Sequence, residues 1–255
     1  MSELRYVKTQ EQLIAAAENN LEFFDAKMHA IKAWYKTEPG LIEKLIPAPL
    51  SVHANPMVRI VISRVFVDLM GGMEFGAATF GVNCMYQGKE GIYEITMPME
   101  GEGIVVGGRE TYGEPKKIAD VTASKEGEDC VAKVTRHGIT YLELRGKTTE
   151  SLETSNFTDD VYCFKVFPSC EQNKLVDQNP LLVRINMHRT QTVHTKLNGE
   201  IILRESPMDP VIDLPVKEMV SLVWEEGGSS SNASVVEEVD AMSYVPFMHS
   251  RYDSV

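Results

Sequence analysis

Hydrophobic and polar positions alternate along most of the chain after Pro56, and this alternation predicts β-strands. Most of the apolar positions are β-branched or aromatic, and glycine, asparagine and charged residues separate the runs. Two turns are predicted, at 87–91 (QGKEG) and at Asn198-Gly199, so the run 182–204 should fold back on itself as a hairpin. The candidate strands are 57–69, 75–86, 91–99, 103–110, 129–138, 139–148, 163–168, 182–204 and 216–227.

Helices are predicted only near the N-terminus. Thr9 and Gln12 form a capping box that begins a helix through 11–28, within a helical segment 9–34. A second, short helix is expected between Pro39 in its first turn and Pro47 as its stop. The stretch 227–234 (GGSSSNAS) is typical of a flexible loop, which sets off a C-terminal extension, 227–255. Many strands with few helices indicate a barrel, a cone or a sandwich.

Composition limits the kinds of function. The 255 residues are 43% apolar and carry a net charge of −12, which gives no electrostatic basis for binding nucleic acid or an anionic membrane. Neither a secretory signal nor a spanning apolar run is visible, so we expect a cytoplasmic protein. The four cysteines lack CxxC spacing and should be free thiols without a metal. His188 and His194 could share a strand face as a metal pair, but ordinary strand histidines are the favoured interpretation.

The glycines of 101–108 (GEGIVVGG) do not match the dinucleotide fingerprint. They lead instead into 108–121 (GRETYGEPKKIADV), which places Lys116 and Lys117 together. This stretch resembles the catalytic signature of the acetoacetate decarboxylase family, a Gly-Arg-Glu followed shortly by Pro-Lys-Lys. Two further parts of the chain resemble the same family. They are YKTEPGLIEKLIPAPL with PMVRI, and TVHTKLNGEIILRESPMDPVIDLPVKEMVS, so that the resemblance covers about 35–221.

The resemblance implies one domain, 1–255, with a mainly β (α+β) fold: a closed antiparallel β cone or barrel with a few peripheral helices. It implies that Lys116 forms an imine with a ketone, that Lys117 and burial together make its amine neutral, and that Glu74 in GGMEFG moves protons. Successive side chains of an extended chain point to opposite faces, so we expect burial to matter more than Lys117. Glu94 is a weaker alternative acid.

Two departures from the family pattern concern the substrate. Met28 and Val61 stand where the decarboxylases carry an arginine and a glutamate, so the site should be drier and less suited to a small anion. Tyr244 and Tyr252 in the tail could fold over the mouth of the site, although ordinary packing is an equal alternative. The residues that we assign to substrate binding are Met28, Val61, Arg109, Glu110, Tyr244 and Tyr252, with Glu110 paired to Arg109 or another partner as scaffold.

The resulting hypothesis is a Schiff-base lyase that decarboxylates a β-keto acid through a lysine imine and an enamine. An imine-dependent aldolase-dehydratase acting on pyruvate-type 2-keto acids is one alternative, and a non-catalytic β shell that binds a small molecule is another. The resemblance implies no cofactor and a homo-oligomer.

Overall fold

The computed structural model describes residues 6–18, 26–68 and 72–253. The α-helices are α1 Gln10–Glu18, α2 Glu102–Tyr112 and α3 Ala241–Tyr244, and the 3-10 helices are Ile42–Lys44, Val211–Asp213 and Val245–Arg251. The strands are β1 Ala26–Lys36, β2 Ser51–Val52, β3 Val58–Val67, β4 Met73–Tyr86, β5 Lys89–Met99, β6 Lys116–Ile118, β7 Asp120–Glu126, β8 Asp129–Arg136, β9 Ile139–Ser151, β10 Asn156–Lys165, β11 Leu181–Leu203 and β12 Glu218–Glu238. None of the helices in these ranges is long and apolar enough to cross a bilayer.

Seven strands pair in a ring. The order is β10-β5-β4-β3-β1-β12-β11, and an additional pairing between β10 and β11 closes it. Every neighbouring pair in the ring is antiparallel except β10 and β5. Strand β11 is long enough to continue past the ring and pair with β9, which carries β8 and β7. The prediction of a mainly β fold is confirmed.

The apolar residues form two cores on opposite faces of the ring. Along β3, Val58, Ile60 and Ile62 join one cluster and Val67 joins the other, as strand alternation requires. The larger cluster also takes in residues of β7, β8 and β9, which pack outside the ring. The smaller cluster therefore lies inside the ring, and the interior-facing positions of the strands are the ones available for a site.

The predicted hairpin at Asn198-Gly199 is wrong. Both residues lie within the continuous strand β11, where Asn198 pairs with Lys147 and Gly199 pairs with Gly146 of β9. A Cβ at Gly146 would lie 2.9 Å from the carbonyl oxygen of Asn198. The glycines serve a close approach of two backbones rather than a turn.

The predicted flexible loop 227–234 is also wrong, because it belongs to β12. Its residues hydrogen-bond on both sides: Gly227 pairs with Met28 of β1 and with Gln191 of β11. The small, polar residues of this stretch are therefore a central part of the ring wall. Composition alone suggested a linker, but paired neighbours on both edges fix the backbone here.

The N-terminal helix is shorter than predicted. Its capping box is confirmed, since the Thr9 amide donates to Gln12 Oε1 and the Gln12 amide donates to Thr9 Oγ1. The helix ends at Glu18, and residues 26–34 of the predicted helical segment 9–34 form β1 instead; 19–25 lie outside the described residues. Pairing with β3 and β12 stabilises 26–36 as a central strand. The second helix is only the 3-10 turn Ile42–Lys44.

The stretch 103–110 was predicted as a strand, but it lies in helix α2. Val105 and Gly108 are the buried positions, three residues apart on one helical face. Gly113 ends the helix with φ +72°, and its amide donates to the Arg109 carbonyl. The predicted turn after Tyr86 is confirmed, with Gln87 and Gly88 both at positive φ.

Candidate active site

The lysine pair lies on the short strand β6, which runs parallel to the end of β5. Lys116 pairs with Met97 and Lys117 with Pro98, while the Met97 amide donates to the Pro115 carbonyl. Because β6 is extended, the two lysine side chains leave it on opposite faces. Lys116 points to the inner face with Met97, and Lys117 points to the outer face.

The Lys116 amine is buried against a carboxylate. The residue is 9% exposed, and its Nζ lies 2.7 Å from Oε2 of Glu114, which is itself 8% exposed. Gly108 of α2 packs over this pair so closely that a Cβ there would lie 2.5 Å from Nζ. Cys163 lies nearby on β10; burial raises its pKa, with the negative charges of Glu114 and Glu94 adding to the effect. The pair therefore sits in a dry part of the ring.

Lys117 belongs to a separate buried ion cluster on the outer face. Its Nζ donates to the Met208 carbonyl at 2.8 Å and lies 3.3 Å from Asp209 and 3.2 Å from Asp253. Arg136 bridges the same two carboxylates. Its hydrogen bonds are the main reason why the pKa of Asp253 lies well below its ordinary value. Two cations and two anions compensate each other here, on the face of the wall opposite the Lys116 amine.

Glu74 lies with a different partner from the one predicted. Its carboxylate accepts a 3.0 Å hydrogen bond from Arg64 Nε, and its side chain is 48% exposed. Arg64 also binds Glu100 at 2.7 Å. Among the described contacts, the carboxylate at Lys116 is that of Glu114 rather than Glu74. The Lys116 amide donates to the Glu114 carbonyl at 2.7 Å, so a tight turn at Pro115 brings the two side chains together.

Glu94, the weaker candidate, is an interior carboxyl group. It is 2% exposed, and burial raises its pKa while Arg59 opposes the shift. Arg59 Nη2 reaches Oε1 of Glu94 at 2.5 Å. The two residues flank Gly81 in the register of β3, β4 and β5, and the missing side chain of that glycine leaves the space that their contact needs.

Met28 and Val61 are together, as predicted, on the wall of an interior cavity of about 30 Å³. Their surroundings are not apolar, however, and the expectation of a drier site is wrong for this cavity. Arg189 Nη1 lies 3.1 Å from the Met28 sulfur. The other charged residues lining the cavity are Lys32, Arg59, Asp159, Glu225 and Glu226.

Arg109 supports the backbone of the lysine strand. Its Nη1 donates to the carbonyls of Lys116 and Arg251, both at 2.9 Å, and its guanidinium lies 5.4 Å from the ring centroid of Tyr252. Glu110 is exposed on α2. Arg109 thus links the strand that carries Lys116 to the C-terminal segment.

The tail packs on the outer core. Tyr244 is buried and stacks on Phe164 with ring centroids 4.3 Å apart, and Phe247 and Tyr252 pack against the same outer cluster. This cluster lies on the Lys117 face of the wall. The placement fits the packing alternative for Tyr244 and Tyr252, and neither is described in contact with the Lys116 side chain.

A closed ring of strands with the ion-paired amine of Lys116 buried on its inner face defines a mainly β protein with an interior amine site. The chain belongs to the acetoacetate decarboxylase (ADC) family, whose model matches residues 9–239. It is thus an enzyme of the acetoacetate decarboxylase kind.

Individual relatives are distant. Acetoacetate decarboxylase 1 of Mesorhizobium japonicum is 27% identical over 202 residues, which cover 74% of this chain and 77% of that protein. A CLA biosynthesis isomerase of Lactiplantibacillus plantarum is 26% identical over 246 residues, covering 86% and 85%. The solved structure of the enduracididine biosynthesis enzyme MppR with pyruvate has a TM-score of 0.73 at 14% identity, over 85% of this chain and 90% of that one, and shows a shared fold.

Proposed function

We propose that Lys116 is the nucleophile of a Schiff-base lyase that acts on a keto acid, with decarboxylation of a β-keto acid as its reaction. The observation that carries the proposal is the buried Lys116 amine inside the ring, 2.7 Å from Glu114 Oε2. Family membership over 9–239 supports the same kind of chemistry. An amine reacts with a ketone only in its neutral form, so the site has to move a proton away from Nζ.

Glu114 is suited to that proton transfer. Opposite charges at 2.7 Å favour the ion pair, whereas burial favours the neutral amine and carboxylic acid. Transfer of one proton from Nζ to Oε2 gives a nucleophile without exporting a charge from the ring. The carboxyl group is then within reach to return the proton when the carbinolamine oxygen leaves as water.

The bond changes follow from the imine. Nζ attacks the ketone carbon, and loss of water gives a protonated imine that withdraws electrons from the neighbouring C–C bond. In a β-keto acid the bond to the carboxylate breaks, CO2 leaves, and the electron pair forms an enamine. Protonation of the enamine carbon and hydrolysis of the imine release the ketone and restore Lys116. The Glu114 carboxylate stabilises the positive charge of the imine throughout.

A second reaction uses the same intermediate. In aldol condensation and dehydration of a pyruvate-type 2-keto acid, the enamine forms by loss of a proton and the carboxylate is retained. Arg189 of the interior cavity favours this candidate, because its guanidinium suits a carboxylate that stays in the site, whereas Lys32 and Arg59 lie beside carboxylates of the protein. The fold shared with the pyruvate-bound MppR adds support.

The two reactions are separated by assaying CO2 release from acetoacetate against condensation of pyruvate with an aldehyde. Lys116→Met should lower the active reaction at least 1,000-fold, on the order of a lost covalent nucleophile. Lys133→Met, which removes an exposed lysine of β8, is the matched control and should retain activity. Turnover by Lys116→Met at the rate of Lys133→Met would refute the proposal, and a wild-type protein that binds both acids without converting either would favour the non-catalytic shell.

A further inference from the structure

Arg189 is a half-buried cation, and no carboxylate partner is found for it in the part of the chain that the structure describes. It projects from β11 into the interior cavity, and its nearest described polar contact is the Met28 sulfur at 3.1 Å. Within residues 6–18, 26–68 and 72–253, no carboxylate oxygen lies within ion-pairing distance of its guanidinium. Burial lowers its pKa, and Arg59 adds to the effect, so the charge is held here at a cost.

The neighbouring cations differ from Arg189 in this respect. Arg59 is paired with Glu94 at 2.5 Å and Asp159 at 3.5 Å. Lys32 lies 3.9 Å from Glu225, and its ammonium lies 5.2 Å from the Phe157 ring centroid. The five nitrogen-bound hydrogens of a guanidinium form a planar fork that fits a carboxylate. Arg189 is therefore the cation of this cavity with capacity for an added anion.

The strand register brings this cavity to the level of Lys116. Lys116 pairs with Met97, and because Thr96 pairs with Phe80, Met97 lies beside Thr79. Thr79 pairs with Val61, and Val61 pairs with Lys32. Along this row, β6 with Lys116 and β3 with the cavity residue Val61 are three strand spacings apart, about 14 Å around the ring. Both side chains, Lys116 and Arg189, face the interior that the wall encloses.

The cavity has a volume of about 30 Å³, which holds a group of one or two water-sized units, about the size of a carboxylate.

From these observations we infer that Arg189 binds the carboxylate of the substrate and selects keto acids over neutral ketones. The inference rests on the proposed function in that the ketone of the same molecule reacts at Lys116. Arg189 comes from β11 and lies beside Met28 of β1. It supplies a cation at a place where Met28 supplies none. A carboxylate held in this way fits an acid whose carboxylate survives enamine formation.

The test compares two probes, pyruvate and acetone, by the ketone concentration that gives half-maximal borohydride trapping. Arg189→Met should raise this concentration for pyruvate about 10- to 100-fold, the effect of losing a charged hydrogen bond, and leave that for acetone unchanged. Arg189→Lys should restore part of the loss. Lys196→Met, which removes an exposed charge from the same strand, is the matched control and should behave as wild type. The inference would be overturned if Arg189→Met and wild type required the same pyruvate concentration. It would also be overturned if Arg189→Met raised the acetone concentration as much as the pyruvate concentration.

A second measurement separates this inference from the proposed function. In Lys116→Met no imine forms, yet pyruvate should still raise the unfolding temperature through Arg189, and the double variant with Arg189→Met should lose that rise. If wild type traps no ketone at Lys116 but the Arg189-dependent rise remains, the proposed chemistry fails and the anion site stands. If the rise is the same with and without Arg189, the anion site is wrong.

Discussion

Gly108 is the position where one methyl group should disable the site while leaving the fold intact. An alanine Cβ there would lie 2.5 Å from Lys116 Nζ and closer still to Glu114 Oε2, against an ordinary contact of about 3.5 Å. The ends of both side chains must therefore move by about 1 Å or more. Both are flexible side-chain ends rather than backbone, so the fold is kept, and the cost in stability is that of displacing one buried ion pair. A misplacement of about 1 Å in a reacting group lowers turnover by about 100-fold.

The adjacent Gly107 provides the control. It lies in the same helix, and an added Cβ there meets nothing within 4 Å. Both substitutions gain up to about 1 kcal/mol of helix propensity, so neither should unfold the protein. The assay is the rate of borohydride trapping and of turnover for each variant beside its unfolding temperature. Gly108→Ala should lose about 100-fold and Gly107→Ala should lose nothing; equal rates in the two variants would refute the placement of the reactive amine against α2.

Three further predictions concern other parts of the protein. Asp253→Asn should cost about 1 kcal/mol at pH 7, after allowance for its 35% exposed side chain, or about 2–4 °C in unfolding temperature. Because the pKa of Asp253 is lowered in the folded state, the stability difference between wild type and Asp253→Asn is present above the ordinary pKa and should vanish as the pH falls through the folded-state pKa. A stability difference that does not change with pH would contradict the ion cluster. Gly227→Ala drives a Cβ into the Thr190 carbonyl oxygen, a backbone atom, and should destabilise by about 3 kcal/mol or more. Gly228→Ala, with 3.9 Å to its nearest atom, should be neutral by thermal unfolding; similar values for the two variants would argue against the β11–β12 register. Cys170 is the exposed thiol and should be the one that a thiol reagent modifies in the native protein, and rapid labelling of all four would contradict the burial of the others.

Local pattern predicted strands such as β8, where buried and less buried positions alternate, and β3, an apolar run buried on both faces, but it missed β1 and β7. It failed where pairing partners decide the conformation. Residues 227–234 look like a linker, but neighbours on both edges hold them in β12. Asn198-Gly199 carries a strong turn signal, but β9 offers a continuous edge against which the strand extends.

Helix α2 shows a different limit of sequence reasoning. The segment 103–110 contains the β-branched run Ile104, Val105 and Val106, which predicts an extended chain. Its conformation follows from tertiary contact, since Val105 packs in the inner core and Gly108 lies against the Lys116 side chain. Propensity is a weak guide where burial of one helical face decides.

The candidate site was predicted in part. The motif singled out Lys116, whose amine is buried, and the relative weight of burial and Lys117 stays a prediction. Glu114 was missed although it stands two residues before Lys116, because the tight turn at Pro115 that joins their side chains is not visible as a pattern in the sequence. Arg189 lies far away in sequence, and only the closure of the ring through β11 brings it to Met28.

The most direct measurement is to reduce a mixture of protein and keto acid with borohydride and locate the added mass by peptide mapping. The account predicts an increment on the peptide that contains Lys116, absent from Lys116→Met and unaffected by Lys133→Met. Product formation with Lys116 unmodified, or an increment on another lysine, would contradict it.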